Sequence, residues 1–178
     1  TNFFLFDPNI NLKIPDFDYY KLAFSNKQET KDYYLNDFFP SSGSSLKTIV
    51  KDDWLWNFTR KLITMNFRKS FTAHKIKTDT LDNFCNSKKI SQIDVLKIDV
   101  EGSELEVLFG AKEILKNTDL IQIEILESKD RFNERYLNIK SLLEKIYNFK
   151  IVKQKNIWTL NTLSKMKAKD VLFIKNIY

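Results

Sequence analysis

Glycine, proline and cysteine are all scarce in this chain of 178 residues, which contains three glycines, three prolines and one cysteine. A loop that cradles phosphate groups needs several glycines close together, and Gly43, Gly102 and Gly110 are too far apart to form one. The single cysteine, Cys85, excludes a disulfide within the chain and fits a reducing compartment. We therefore expect a cytoplasmic protein whose ligand is not held by a glycine-rich loop of these residues.

Long apolar runs and arginine are scarce as well. No run approaches the roughly 20 apolar residues of a transmembrane helix, so we expect no membrane span. The net charge of +6 comes mainly from lysines that are scattered along the chain. Proteins that read nucleic acids favour arginine for its two-pronged hydrogen bonding. Nucleic-acid binding is therefore the interpretation that we rank last.

Strand-like and helix-like segments alternate along most of the chain, and this alternation is typical of an α/β fold with a mostly parallel sheet. Two strands after the last helix indicate an antiparallel C-terminal hairpin. With 43% hydrophobic residues, a chain of this length can form one domain with a substantial core. The predicted strands are 2–6, 19–24, 32–35, 75–78, 95–100, 120–126, 149–152, 157–160 and 171–174, and the predicted helices are 52–67, 103–115 and 133–147.

Acidic residues lie at or near the carboxyl ends of several predicted strands. Asp7 and Asp99 follow two of the strands, and Glu124 lies within a third. Ligands of open α/β sheets collect at this edge, so these acids are candidate site residues. Glu104 and Glu106, in contrast, fall in the first turn of a predicted helix, where acids stabilise the helix dipole and Glu106 can form a capping box with Ser103.

Four short sequence blocks together resemble the FkbM-type methyltransferases. They are spread over a span that takes in nearly the whole chain, although the middle, 36–72, is weakly constrained. Members of that family are S-adenosylmethionine-dependent enzymes with a Rossmann-like fold, and many of them are O-methyltransferases. The KIDVEG-x-E pattern with its L-x-G-A continuation is the most specific of the matches. The blocks are FLFDPN (4–9), TLDNF (80–84), IDVLKIDVEGSELEVLFGA (93–111) and IQIEI (121–125).

One expected feature of that class is absent from the sequence. Members begin with a strand and a glycine-rich turn of the form D-x-G-x-N-x-G, and this chain opens where their second strand belongs. The missing strand would lie between the strands predicted at 2–6 and 95–100. We therefore expect residues 1–178 to form a single, incomplete methyltransferase domain that is a fragment of a longer protein or is completed by a partner segment.

The resemblance implies a role for each candidate residue. Asp7 matches the acid that accepts both ribose hydroxyls of the cofactor, S-adenosylmethionine. Asn9 beside it is a further cofactor-binding candidate, although we expect its main role to be shaping the turn. Asp99 corresponds to a group that faces the methyl donor and the acceptor, and Gly102 allows a tight turn close to the ligand. Asp99, Glu101 and Glu124 are the candidates for removing or orienting the acceptor proton.

The sequence thus supports O-methylation of a hydroxyl group on a sugar or small-molecule acceptor. The alternative is a non-catalytic Rossmann-like interaction domain that lacks the cofactor loop. Asp99, Glu101 and Glu124 could together hold a divalent cation through oxygen ligands. We rank this below metal-free chemistry and expect no bound metal, because no histidine or cysteine joins the acids and the family signature does not require a metal.

Overall fold

The computed structural model describes residues 2–9, 18–36, 71–157 and 166–176, and four isolated residues between them, Ser44, Leu46, Phe58 and Leu62. The strands are β1 (Phe4–Phe6), β2 (Asp18–Tyr20), β3 (Ala23–Phe24), β4 (Glu29–Asn36), β5 (Phe71–Asp79), β6 (Ile93–Ile98), β7 (Thr118–Ser128), β8 (Phe149–Ile157) and β9 (Met166–Lys175). The helices are α1 (Leu81–Lys88), α2 (Glu104–Phe109) and α3 (Phe132–Ser141), with a 3₁₀ turn at Ile114–Asn117 and a π-helical turn at Leu142–Ile146.

The described strands form three sheets, with the orders β1-β2, β3-β5-β4 and β6-β7-β9-β8. The pairs β1–β2, β3–β5 and β6–β7 are parallel, and the pairs β4–β5, β7–β9 and β8–β9 are antiparallel. The α/β class is therefore confirmed, but the sheets are mixed and not mostly parallel. The C-terminal hairpin is confirmed as β8–β9. Because β9 lies next to β7, β8 forms one edge of that sheet.

The neighbours of β1 and of β6 in their sheets bear on the strand that is predicted to be missing between them. In the ranges that the structure describes, β1 pairs with β2 and β6 pairs with β7, and no described strand joins the two sheets. Val95 in β6 is 64% exposed, although a central parallel strand is normally buried. A further strand between β1 and β6 stays a prediction.

The core lies between the four-stranded sheet and the helices on one of its faces. Helices α2 and α3 both contact β7, whose inward side chains alternate with partly exposed ones as in a half-buried strand. A single apolar cluster runs from this layer to the aromatic side chains of β1, β2 and β3. Its wholly buried members include Leu108, Leu115, Ile121, Ile123, Ile125, Ile139, Leu143 and Phe173.

An aromatic group fixes β1 and β2 against α1. The ring of Phe84 meets those of Phe6 and Tyr20 edge-on, at centroid distances of 4.7 and 5.1 Å. Phe6 also stacks on Tyr20 at 5.4 Å. Such ring pairs contribute about 0.5–1.5 kcal/mol each beyond the area they bury. They hold the end of β1, and with it Asp7, at a fixed place beside the main sheet.

Helix boundaries differ from those predicted. The TLDNF segment, interpreted as leading into a polar stretch, forms α1, because the side chain of Thr80 accepts the Asn83 N–H and caps the helix. The helix predicted at 103–115 ends at Gly110, where a Cβ atom would overlap the carbonyl oxygen of Ser25. The backbone at Gly110 therefore lies in close contact with the backbone of Ser25.

The helix predicted at 133–147 is confirmed as α3 and the π-helical turn that follows it. Among the apolar residues of this helical segment, Ile139 and Leu143 are buried, Leu142 is partly buried and Ile146 is 68% exposed. Nearly all of the helix predicted at 52–67, and residues 158–160 of the strand predicted at 157–160, fall outside the described residues.

Candidate functional site

The turn after β1 presents Asp7. Its carboxylate atom Oδ1 accepts the backbone N–H of Asn9 at 2.8 Å, and its own N–H donates to the carbonyl of Tyr20 in β2. The hydroxyl of Tyr19 donates to the carbonyl oxygens of Asp7 and Asn9 at 2.9 and 3.2 Å. Asn9 is buried. The prediction that Asn9 shapes this turn agrees with these contacts.

The turn after β6 has an unusual backbone. Glu101 and Gly102 both adopt positive φ angles, 50° and 98°. Glycine reaches that region freely, whereas a glutamate does so rarely. The Gly102 N–H donates to Oε1 of Glu104 at 2.7 Å. The tight turn predicted at Gly102 is therefore present, and Glu101 is held in a strained conformation within it.

The register of the main sheet brings Glu124 to this turn. Ile98, the last residue of β6, pairs with Ile123 of β7, so Asp99 leaves the sheet at the level of Glu124. β7 continues for four more residues, to Ser128. Glu124 therefore lies within β7, opposite Asp170 of β9, and not at its end.

Electrostatics show that these acids act on one another. Burial raises the pKa of Asp7, and the charge of Asp99 raises it further. Burial first of all, and then the charges of Asp99, Glu101 and Asp170, raise the pKa of Glu124 to about 7. We call Asp7, Asp99, Glu101, Glu124 and Asp170 the acidic cluster. The structure thus gathers the predicted acids in one region, and their roles stay predictions.

Within the described ranges, an ion pair joins Lys97 Nζ to Asp99 Oδ2 at 3.2 Å, with both side chains substantially exposed. An exposed pair of this kind contributes about 0–1 kcal/mol. This pair therefore offsets little of the mutual repulsion of the acids.

Three residues in or next to the acidic cluster were not predicted from the sequence. Asp170 faces Glu124 only because β9 inserts beside β7. Tyr33, in β4, is buried, and burial together with the charge of Asp7 raises its pKa. Tyr19 fixes the Asp7 turn through its hydroxyl. Nothing in the local sequence around Tyr33 or Asp170 marks them, since both reach the site through long-range strand pairing.

A second group of acids lies behind the Glu101–Gly102 turn and is paired. Arg135 of α3 donates from Nη1 to Glu104 at 3.1 Å and from Nε to Glu127 at 2.9 Å. Arg131 donates to Glu127 at 3.1 Å. We call Glu104, Glu127, Arg131 and Arg135 the arginine network. It uses both arginines of the part of the chain that the structure describes.

Glu104 and Glu106 both lie in the first turn of α2, as predicted. The capping box predicted for Ser103 and Glu106 does not form, because Ser103 makes no side-chain capping hydrogen bond. The pairing of Glu104 with the arginine network was not predicted. Glu104 is wholly buried, and burial raises its pKa to about 7 against the opposing effects of backbone N–H groups and Arg135. Burial also acts to raise the pKa of Glu127, but the Ser128 N–H and both arginines hold it below its ordinary value.

The described ranges contain neither a group of side chains suited to a metal ion nor a helix suited to a membrane. No three histidine, cysteine or acidic side chains there are arranged to hold a metal ion. No helix in those ranges is long and apolar enough to cross a membrane.

Comparison with known proteins agrees with the motifs. Residues 3–151 match the family model of the methyltransferase FkbM domain. Over 79 residues, the chain is 32% identical to the 2-O-methyltransferase NoeI of Sinorhizobium fredii (strain NBRC 101917 / NGR234); the aligned part is 44% of this chain and 32% of that protein. The chain thus spans about a third of the length of this curated relative. No solved structure matches it. Since the family model covers most of the sequence, the chain belongs to the FkbM methyltransferase family.

Proposed function

We propose that this protein is an S-adenosylmethionine-dependent O-methyltransferase that acts on a hydroxyl group of a sugar or small molecule. The observation that carries the proposal is the acidic cluster, in which Asp7, Asp99, Glu101 and Glu124 meet at the carboxyl side of β1 and β6. The FkbM family match and the name of the 2-O-methyltransferase relative support the reaction type.

The residues around Asp7 suit the ribose of the cofactor. A carboxylate has about four acceptor positions, and the hydrogen bond from the Asn9 N–H occupies one of them on Oδ1. This leaves acceptor capacity for the two hydroxyls of a vicinal diol. Tyr19 and the β1–β2 pairing hold the turn in place, so Asp7 needs little reorganisation on binding. The negative charge of the cluster also suits a cationic ligand, and the cofactor supplies a methyl group already activated by a positively charged sulfur.

The proton of the acceptor hydroxyl needs a base, and Glu124 is the group best matched to that task. A general base works best when its pKa lies near the working pH, and the pKa of Glu124 is about 7. Asp99 and Glu101 hold that value up by repulsion and can orient the hydroxyl. Gly102 lets the backbone approach the ligand without a Cβ atom.

We also propose a Rossmann-like arrangement in which a further strand pairs between β1 and β6 and carries the glycine-rich turn. The parallel β1–β2 and β6–β7 pairs and the exposure of Val95 support this arrangement. The strand would come from sequence outside the described residues or from a partner.

Calorimetric titration of S-adenosylmethionine into the whole protein tests the cofactor assignment. We expect micromolar binding that weakens about tenfold or more in Asp7→Asn, because charge-assisted hydrogen bonds are worth about 1.5–3 kcal/mol. Asp94→Asn is the matched control, since Asp94 is exposed and lies near the start of β6, away from the turn that follows the strand, and it should bind like the wild type. Absence of cofactor binding by the wild-type protein would overturn the proposal and favour a non-catalytic interaction domain.

A further inference from the structure

We propose that Glu104 is a positioning residue, whose carboxylate, anchored by Arg135, holds the Glu101–Gly102 turn in the conformation that presents Glu101 to the site. This inference rests on the proposed function for its catalytic consequence. Its structural part, the hold on the turn, stands on contacts that do not depend on that function.

The contacts of Glu104 connect three separate elements. Oε1 accepts the Gly102 N–H at 2.7 Å and the Leu126 N–H of β7 at 3.4 Å. Oε2 accepts from Arg135 of α3 at 3.1 Å. Glu104 is therefore the point at which the turn, the central strand and α3 meet. The two hydrogen bonds from backbone N–H groups are buried, and the one from Arg135 is partly buried. In such surroundings a hydrogen bond to a charged group is stronger than at the surface.

The turn needs such support. A non-glycine residue at a positive φ costs of the order of 1–3 kcal/mol and persists only when the surroundings impose it, and Glu101 has a φ of 50°. The hydrogen bond at Gly102 acts on the next peptide in the chain. Without an acceptor there, we expect the peptide to rotate and Glu101 to relax toward an ordinary backbone conformation, away from Glu124.

Arg135 makes the carboxylate of Glu104 a fixed acceptor. Its guanidinium group is mostly buried and bridges Glu104 and Glu127. Arginine is suited to this task because its donors lie in a rigid plane. With two oxygens engaged on opposite sides, the Glu104 carboxylate has little freedom to leave the turn.

If Glu104 had only a structural role, it would connect α2 to α3 and would have no influence on the Glu101–Gly102 turn. The two roles differ in their effect on the Gly102 amide, and the scarcity of glycine makes that amide easy to observe. Selective ¹⁵N-glycine labelling of the 178-residue chain yields three amide signals, from Gly43, Gly102 and Gly110. The variants Gly43→Ala and Gly102→Ala assign two of them by loss of a signal.

The test compares Glu104→Gln with Glu106→Gln, the same change two residues further along α2. We expect the Gly102 amide proton of the wild type to resonate downfield and to move upfield in Glu104→Gln, while the other two glycine signals stay in place. Glu106→Gln should leave all three unchanged. A Gly102 signal that does not move in folded Glu104→Gln would overturn the inference.

Kinetics test the catalytic consequence. In Glu104→Gln we expect kcat to fall about tenfold or more, with KM for S-adenosylmethionine within twofold, since Asp7 holds the cofactor from another strand. An unchanged kcat would count against positioning. If the wild-type protein transfers no methyl group, the proposed function fails, and the Gly102 signal still decides whether Glu104 holds the turn.

Should Glu104→Gln not fold, Arg135→Lys keeps the charge but cannot bridge both carboxylates, and it should shift the Gly102 signal in the same direction by less.

Discussion

The acidic cluster and the arginine network both contain acidic residues that lie close together in the sequence, yet the two groups are organised in opposite ways. In the arginine network, two glutamates share two arginines through contacts of 2.9–3.1 Å. In the acidic cluster, Asp99 forms an exposed pair with Lys97. The chain places Glu101 in one group and Glu104 in the other, three residues apart.

From this difference we predict which acids stabilise the fold and which bind a ligand. A buried carboxylate with hydrogen bonds and a cation on it is part of the structure. A half-buried carboxylate surrounded by other carboxylates costs stability, and proteins keep such groups mainly where chemistry or binding requires them. The arginine network therefore serves as a scaffold for the acidic cluster, and substitutions in the two groups should change stability in opposite directions.

Removing Arg135 should have the largest effect. Arg135→Met leaves Glu104 buried without its cation, and breaking one side of a buried pair costs about 3–5 kcal/mol of the free energy of unfolding. Urea denaturation at pH 7.5 measures this loss. The matched control is Arg131→Met, because the Arg131 side chain is 61% exposed and its removal should cost about 1 kcal/mol or less.

The loss in Arg135→Met should also depend on pH. Glu104 already has a raised pKa of about 7, and without the arginine it takes up a proton more readily. The deficit relative to the wild type should therefore shrink at pH 5 and grow toward pH 8. Equal losses for the two arginine variants, or a deficit independent of pH, would contradict the assignment of Arg135 to the buried scaffold.

Glu124→Gln should have a smaller effect on stability and one of opposite sign. The folded-state pKa of Glu124, about 7, is raised from 4.5, so the fold favours the protonated form and loses stability as pH rises through this range. Gln mimics that form. After a discount for the solvent screening of a half-buried group, we expect the free energy of unfolding to rise by about 1 kcal/mol at pH 8 and by little at pH 5.

The same variant should lose activity. Methyl transfer by the wild type should decline as pH falls through about 7, because Glu124 must be ionised to accept a proton. In Glu124→Gln we expect kcat to fall about 100-fold and this pH dependence to disappear. Thermal melts and rate profiles measured on the same samples check both effects. A variant that is less stable than the wild type at pH 8 would place Glu124 with the structural acids.

The sequence was informative where function depends on local pattern. The KIDVEG block, the FLFDPN turn and the tight turn at Gly102 could all be identified from neighbouring residues. The place of Glu104 at the helix start was predicted correctly. Its pairing with Arg135 was missed, because Arg135 lies 31 residues away and reaches it only through the packing of α3 on β7. Asp170 and Tyr33 were missed for the same reason: strand order, which local periodicity does not contain, brings them to the cluster. Burial sets the pKa of Glu124 first of all, and burial belongs to the fold.

Lys97 offers the smallest and sharpest test of the comparison. It is the basic residue whose charge lowers the pKa of Glu124, against the larger effects of burial and of Asp99, Glu101 and Asp170. In Lys97→Met the midpoint of the rate profile should therefore move to higher pH, and the rate at pH 6.5 should fall by about twofold. Lys150→Met, on the exposed side of β8, is the control and should leave the midpoint in place. Because Lys97 is largely exposed, added salt screens its charge, and the difference between the wild type and Lys97→Met should fade at 1 M NaCl. A midpoint unmoved at low salt would mean that the base titrating in the profile is not a member of the acidic cluster.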